Sequence, residues 1–318
     1  MKGFFTQGGV LLLKQNVSIS ELEAQVASFG PHRRVTDSLT NWTLGGDSLV
    51  VSLGLGDNAT ASIDVVNRPW PDRMGDPKTE SEVFAAWSMG YFGPLTWPGS
   101  LERAIGHCWT WPEGRGIAPS HDSFVRVKVS HVFGAGPSAP VIPADYEPVP
   151  ELHQTTRLLL ALASHPAVIA WFNPNGEVLL PPAEVAKKLD WAKKHQVNPV
   201  DVWTNVRMLK LDGVAGGWML MDTVGMGQAG STDMEAFFPI SQFNPSHVAT
   251  FLRNASDYLI TQGPVFKDGD TMDGPGGIRW HVNMWRESFY VPPRPTLRWL
   301  PHGVQAPTVI MQKKSPLM

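Results

Sequence analysis

The chain has 318 residues, 42% hydrophobic and 17% charged, with a formal net charge of −3. That length suits one large domain or two of about 150 residues each, and the composition excludes a disordered chain. The small charge argues against a general nucleic-acid binder, which carries a basic excess, but leaves room for a local acidic face.

The single cysteine, Cys108, excludes an intramolecular disulfide and a cysteine-based zinc cluster. The apolar run from Val10 to Leu13 is closed by Lys14 and is too short for a signal-peptide core. No window approaches a membrane span. The expectation is a cytoplasmic protein without a membrane partner. The 13 tryptophans point to large core anchors, with a few left for a partner surface.

In chain order, Gly9 to Lys14 is strand-like. Ser20 and Glu23 have capping-box spacing, Leu22, Val26 and Phe29 share a helical face, and Gly30-Pro31 ends that helix. Leu39 to Leu44, Ser48 to Leu53 and Ala59 to Val66 read as strands between glycine turns. A helix over Glu80 to Gly90 carries Val83, Ala86 and Trp87. A second spans Leu101 to Trp111, and Pro112 to Ser120 is irregular. From Phe124 to Phe133, Val125, Val127 and Val129 alternate with Arg126, Lys128 and Ser130, the pattern of a half-buried strand.

Residues 136–150 form a proline-rich connection. Helix from Glu151 to Ser164 is apolar nearly all round. Val168 to Phe172 and Glu177 to Leu180 make a hairpin through Asn173-Pro174-Asn175-Gly176. Pro182 opens a helix with Val185, Leu189 and Ala192 inward and a Glu184–Lys188 surface pair. Val200 to Leu211 and Trp218 to Val224 read as strands.

The best-marked helix follows, with Asn244 as N-cap, Pro245 at the first position, an apolar face of Val248, Phe251, Leu252, Ala255 and Leu259, and Gly263-Pro264 as the stop. It leads through the acidic glycine loop Lys267 to Gly277 into a strand from Ile278 to Val282. The tail from Pro301 looks frayed. These elements make an α+β protein of mixed, largely antiparallel sheets covered by helices. The two halves share a coarse order, which points to two similar modules, 1–135 and 151–300, joined by 136–150, with a tail at 301–318.

Motifs that carry chemistry are few. Gly225 to Gly230 matches G-x-G-x-x-G, but Pro239 stops the following segment and no acidic residue lies between Phe237 and Ser256, so a glycine turn is expected rather than a dinucleotide site. Asp268, Asp270 and Asp273 resemble the start of a calcium loop. Met272 and Arg279 stand where its other ligands belong, which rejects that loop. His107 and Cys108 are adjacent on a predicted buried helix and do not face each other. His121-Asp122 reads as hydrogen bonding at a strand entry. No convergent catalytic set, metal site or cofactor site is expected, which favours a binding protein.

Phe251 to Leu259, then Gly263-Pro264-Val265-Phe266-Lys267-Asp268-Gly269-Asp270-Thr271, resembles the signature of bacterial proteins carrying domain of unknown function 4261. The chain as a whole, including Tyr91-Phe92-Gly93-Pro94, is similar to longer pseudomonad members, among them an immunity protein of type VI secretion. The resemblance implies a protein that binds and neutralises a cognate restriction-endonuclease-like toxin, without touching nucleic acid itself. Complementary carboxylates and an aromatic anchor would serve that role, and Asp268, Asp270, Asp273 and Trp280 are the candidate contacts. The alternatives are a metal-dependent hydrolase built on the three aspartates, or a general adaptor module.

Overall fold

The computed structural model describes residues 3–36, 46–55, 59–133, 135 and 138–311. The strand expected at Leu39 to Leu44 lies outside the described residues. The chain divides into two compact units, Met1–Trp203 and Thr204–Met318. Both combine helices with mostly antiparallel sheet, which makes the protein α+β.

In the first unit, β1 (Gln7–Leu13), α1 (Ile19–Val26), β2 (His32–Val35), β3 (Ser48–Ser52) and β4 (Thr60–Val66) precede α2 (Ser81–Ser88), α3 (Ser100–Gly106) and α4 (Gly114–Ile117). Then come β5 (Ser123–Ser130), α5 (Pro148–Leu162), β6 (Val168–Asn173), β7 (Val178–Leu180), α6 (Pro182–His195) and α7 (Val200–Trp203). The strands form one antiparallel sheet in the order β2-β3-β4-β5-β1-β6-β7. Because β6 pairs with β1, setting Val10 opposite Phe172, the sheet runs past the proline-rich residues 136–150 and includes them in this unit.

Several local expectations shift. Helix α1 is closed by Ser18 and Glu21 rather than Ser20 and Glu23: the Glu21 carboxylate accepts from the Ser18 N–H at 2.6 Å. Pro148, not a residue after Pro150, opens α5, since a proline at the first position loses no helical hydrogen bond. Lys187 pairs with Glu184 at 2.5 Å, while Lys188 turns to Asp201 at 3.2 Å. Cys108 lies beyond the end of α3 rather than within a helix. Val200–Trp203 is a helical turn, and the following strand starts only at Asn205.

The largest correction concerns β5. Every residue of it is buried, Arg126 and Lys128 included. One face of the sheet packs on α5, where the missing side chain of Gly9 makes room for Leu159; a Cβ there would stand 2.3 Å from Leu159 Cδ1. The other face is covered by Trp70, Trp87 and Phe92, with Trp70 edge-on to Phe124 and Phe172 at 5.3 and 5.2 Å. With both faces covered, the charges on β5 must be paired inside the protein. Asp64, opposite Arg126 in the β4–β5 register, takes the Arg126 guanidinium, and Lys128 Nζ sits 3.3 Å from the same carboxylate.

The second unit contains β8 (Asn205–Lys210), β9 (Trp218–Val224), β10 (Asp233–Pro239), α8 (Pro245–Gln262), β11 (Thr271–Gly274), β12 (Ile278–Trp285), β13 (Thr296–Pro301) and α9 (Thr308–Met311). Its sheet order is β11-β12-β13-β10-β9-β8, antiparallel except for the β10–β13 pair. Helix α8 matches the sequence reading. The Asn244 side chain accepts the Ser246 N–H at 2.9 Å, and Val248, Phe251, Leu252, Ala255 and Leu259 are buried. Gly263 ends it with φ 79° and ψ −165°, a conformation open to glycine alone. The apolar face of α8 packs on Met221, Ala236, Val282 and Trp299. The tail is docked rather than frayed as far as Met311: Ile310 is fully buried and its carbonyl accepts from Arg298.

Candidate functional site

The acidic loop is a hairpin. Residues 271–274 form β11 against β12, with Thr271 opposite His281 and Gly274 opposite Ile278. The turn before it is closed by the Gly269 N–H on Val282 O at 2.8 Å and the Val282 N–H on Asp270 O at 2.9 Å. The hairpin exposes Asp268, Asp270 and Asp273. Asp268 accepts the Met284 N–H at 2.7 Å, Asp270 accepts the Lys267 N–H at 2.7 Å, and Asp273 pairs with Arg279 at 3.1 Å. The three carboxylates thus brace separate parts of the hairpin. Among the described residues no three His, Cys, Asp or Glu side chains converge as metal ligands.

Trp280 is not at the surface. It is fully buried, its indole N–H donates to Pro275 O at 3.1 Å, and its ring packs on Phe243 and Phe251 at 5.3 and 5.5 Å. Gly274 is required beside it, since a Cβ there would stand 2.4 Å from Trp280 Cδ1. Trp280 is therefore a core anchor of the hairpin and not the exposed aromatic expected of it.

The exposed apolar residue of this strand is Met284, 60% exposed at the far end of β12. It lies in a groove of about 900 Å³ whose walls include Asp268, Arg286, Glu287, Arg294 and Met311. The groove joins an apolar floor to both signs of charge. Asp268 connects it to the acidic hairpin. In sequence, Met284 continues the Trp280–Val282 alternation, and nothing there marks where the cover of α8 stops.

Behind the groove lies a buried row of charge. Arg207 of β8, Asp222 of β9, Glu235 of β10 and Arg298 of β13 stand opposite one another in register across four strands. Arg207 bonds Asp222 through Nε at 2.9 Å and Nη2 at 2.5 Å. Arg298 bonds Glu235 through Nε at 3.0 Å and Nη2 at 2.8 Å, and its guanidinium stacks 4.0 Å from the Trp285 ring centroid. Arg294 completes the set, reaching Asp222 at 2.8 Å and Asp233 at 3.1 Å. Burial alone would raise the Asp222 pKa, but two guanidiniums outweigh it and hold the carboxyl below its ordinary value. Asp233 and Glu235 each meet one guanidinium, and there burial wins and pushes the carboxyl up.

Asp233 also explains the glycine motif. Its carboxylate accepts the N–H groups of Gly225 and Met226 at 3.4 and 3.2 Å, fixing residues 226–229 as a 3₁₀ turn. The donors that a phosphate would need are already used by this carboxylate. Residues 222–300 match the family model for Domain of unknown function (DUF4261). The DUF4261 segment so defined begins at Asp222 and ends on β13, and it holds the hairpin, α8, the groove walls apart from Met311, and every member of the charge row except Arg207. No curated protein and no solved structure matches the chain.

The remaining motif residues are structural. His121 accepts the Trp70 N–H on Nε2 at 2.7 Å and donates from Nδ1 to Ala118 O at 2.6 Å, which joins the strand entry to the loop before α2. Burial holds its pKa below the ordinary value. The Cys108 thiol donates to Ile105 O at 3.1 Å, and burial pushes its pKa up, away from a reactive thiolate. Among the described residues, no helix is long and apolar enough to cross a membrane.

Proposed function

We propose that this chain is an immunity protein that binds a type VI secretion nuclease toxin in the cytoplasm and neutralises it by forming a stoichiometric complex. The observation that carries the reading is the joining of the acidic hairpin to the groove floored by Met284, both of these features lying in the DUF4261 segment apart from the groove wall at Met311. Asp268 and Asp270 are exposed and, among the described residues, bonded only to backbone N–H groups, so their negative charge is available to steer a cationic partner. A nuclease presents such a surface, because it must hold the phosphate backbone of its substrate. Met284 supplies an apolar contact beside those charges, and an exposed apolar group ringed by polar residues is the usual anatomy of a binding patch. Longer members of the resembling family include an immunity protein, which supports the same reading.

The test is co-expression with the product of the adjacent toxin gene, followed by purification and calorimetry of the complex. The charge reversal D268K/D270K is expected to weaken binding at least about tenfold and to flatten its salt dependence. M284D is expected to raise the dissociation rate. If the unaltered chain neither binds the toxin nor protects cells that express it, the proposal fails.

A further inference from the structure

The charge row and the groove are joined by hydrogen bonds that the ion pairs leave over. A forked pair with a carboxylate uses only part of a guanidinium's donors. In Arg207 and in Arg298 the carboxylate takes Nε and Nη2 and leaves Nη1. Arg207 Nη1 donates to Val291 O at 2.8 Å, and Arg298 Nη1 donates to Ile310 O. Glu235 has an oxygen to spare as well, and its Oε1 accepts the Phe289 N–H. The acceptors and the donor that meet these groups all belong to backbone beside the groove.

Residues 286–295 connect β12 to β13 without regular structure and supply a groove wall through Pro293, Arg294 and Pro295. A strap of this kind has no strand ladder to fix its backbone, so its position rests on bonds to its surroundings. Val291 and Phe289 are two such points, and Arg294 is the third. Its Nε reaches Asp233 at 3.1 Å and its Nη2 reaches Asp222 at 2.8 Å and Thr223 O at 2.6 Å. From there its Nη1 donates back to Pro292 O at 2.7 Å, which ties the strap to the sheet through one side chain. Met311, another groove wall, ends α9 directly after the carbonyl that Arg298 holds.

We infer that the buried charge row is the clamp of the groove: Arg207, Glu235 and Arg294 fix the strap, Arg298 fixes the end of α9, and the groove meets its partner preformed. Arg294 is the positioning residue at the centre of the clamp. With its fork committed inward, Asp268 and Glu287 outnumber Arg286 along the groove, which favours a cationic partner. Preforming the walls spares the complex the cost of ordering them on binding. The inference deepens the reading of the groove as the toxin's seat and rests on it for what binds, whereas the clamp itself is tested on the chain alone.

The test is hydrogen exchange, followed by mass spectrometry, of the full chain and of the variant R294M/D233N. The variant removes both partners of one ion pair and leaves Arg207 with Asp222 and Arg298 with Glu235. Protection of residues 286–295 is expected to fall at least about tenfold, with β9, β10 and α8 exchanging as before. Unchanged protection of the strap, or a loss spread evenly over the whole sheet, would overturn the clamp. Calorimetry with the product of the adjacent toxin gene then separates the two claims. Binding about tenfold weaker in R294M/D233N is expected. A toxin that binds both proteins equally well overturns the link from clamp to groove and leaves the proposed function standing. A toxin that binds neither defeats the proposed function, and the exchange result alone then decides the clamp.

Discussion

The buried charge row of the second unit makes a quantitative prediction. Asp222→Asn removes the carboxylate that Arg207 and Arg294 share, with the Asp222 side chain fully buried and the two arginine side chains 2% and 11% exposed. Arg207 would lose its bidentate carboxylate and Arg294 one of its two, and breaking a buried ion pair on one side costs about 3–5 kcal/mol. The double variant R207M/D222L keeps the volume and restores the balance: Arg294 retains Asp233 at 3.1 Å and Arg298 retains Glu235 at 2.8 Å. It is expected to lose less than about 1.5 kcal/mol, because apolar isosteres of a buried pair are close to neutral. Urea unfolding at pH 7, followed by tryptophan fluorescence and circular dichroism, measures both. The acid limb gives a second reading. The folded pKa of Asp222 lies below its unfolded value of about 3.9, so its contribution is complete above that pH and lost as pH falls through the folded value. D222N is expected to lack that portion of the acid loss. A D222N penalty below about 1 kcal/mol, or a double variant as unstable as D222N, would refute the account of the row as a set of mutually dependent charges.

Two further predictions follow from named groups. Burial, with Arg126 alongside, lowers the Lys128 pKa to about 7, against about 10.4 unfolded, so the folded state binds fewer protons between those values and stability rises with pH across that window. The slope reaches at most about 1.4 kcal/mol per pH unit, and K128M, which leaves Asp64 paired with Arg126, is expected to flatten it in urea titrations at pH 7 to 10. N244A is expected to cost about 1 kcal/mol, because it removes the cap that holds the Ser246 N–H, and thermal unfolding by circular dichroism checks it.

Much of the fold was legible because local signals and tertiary demands agreed. Helix α8 carries an N-cap, a first-position proline, one apolar face and a terminal glycine, and the structure places each as read. The hairpin of β6 and β7 was equally plain. Failures occurred where long-range contacts decided. The Arg126 and Lys128 alternation is the pattern of a solvated face, and only the cover supplied by Trp70, Trp87 and Phe92 turns that face inward. In sequence, Arg207, Asp222, Glu235 and Arg298 each stand as a single charge in an apolar strand. That isolation was itself the signal, since a lone charge in a buried strand requires a partner on its neighbour. The stretch Lys267 to Gly277 reads as a loop in sequence, and β11 within it is not legible there, because its pairing depends on β12 rather than on its own four residues.

The two units answer the same problem in the same way. Each sheet buries one face under a long helix, α5 or α8, with apolar side chains, and sets cross-strand ion pairs into the opposite face: Asp64 with Arg126 in one, the Arg207 to Arg298 row in the other. A pair of charges in register rewards only one alignment of its strands, because a slip of one strand by one residue carries its charge to the apolar face and parts the pair. Such pairs therefore specify register more than they add stability. This separates two kinds of charge that the sequence alone presents alike. The carboxylates of Asp64, Asp222 and Glu235 are committed to arginines within the protein and cannot meet a partner without breaking the sheet. Those of Asp268 and Asp270, among the described residues, accept only backbone N–H groups on an exposed hairpin, so their charge remains directed outward. The hairpin carboxylates are therefore open to a cationic surface, whereas the buried charges behind them are not. Reversing Asp268 and Asp270 should alter binding while leaving stability nearly unchanged, whereas changing Asp222 should do the opposite.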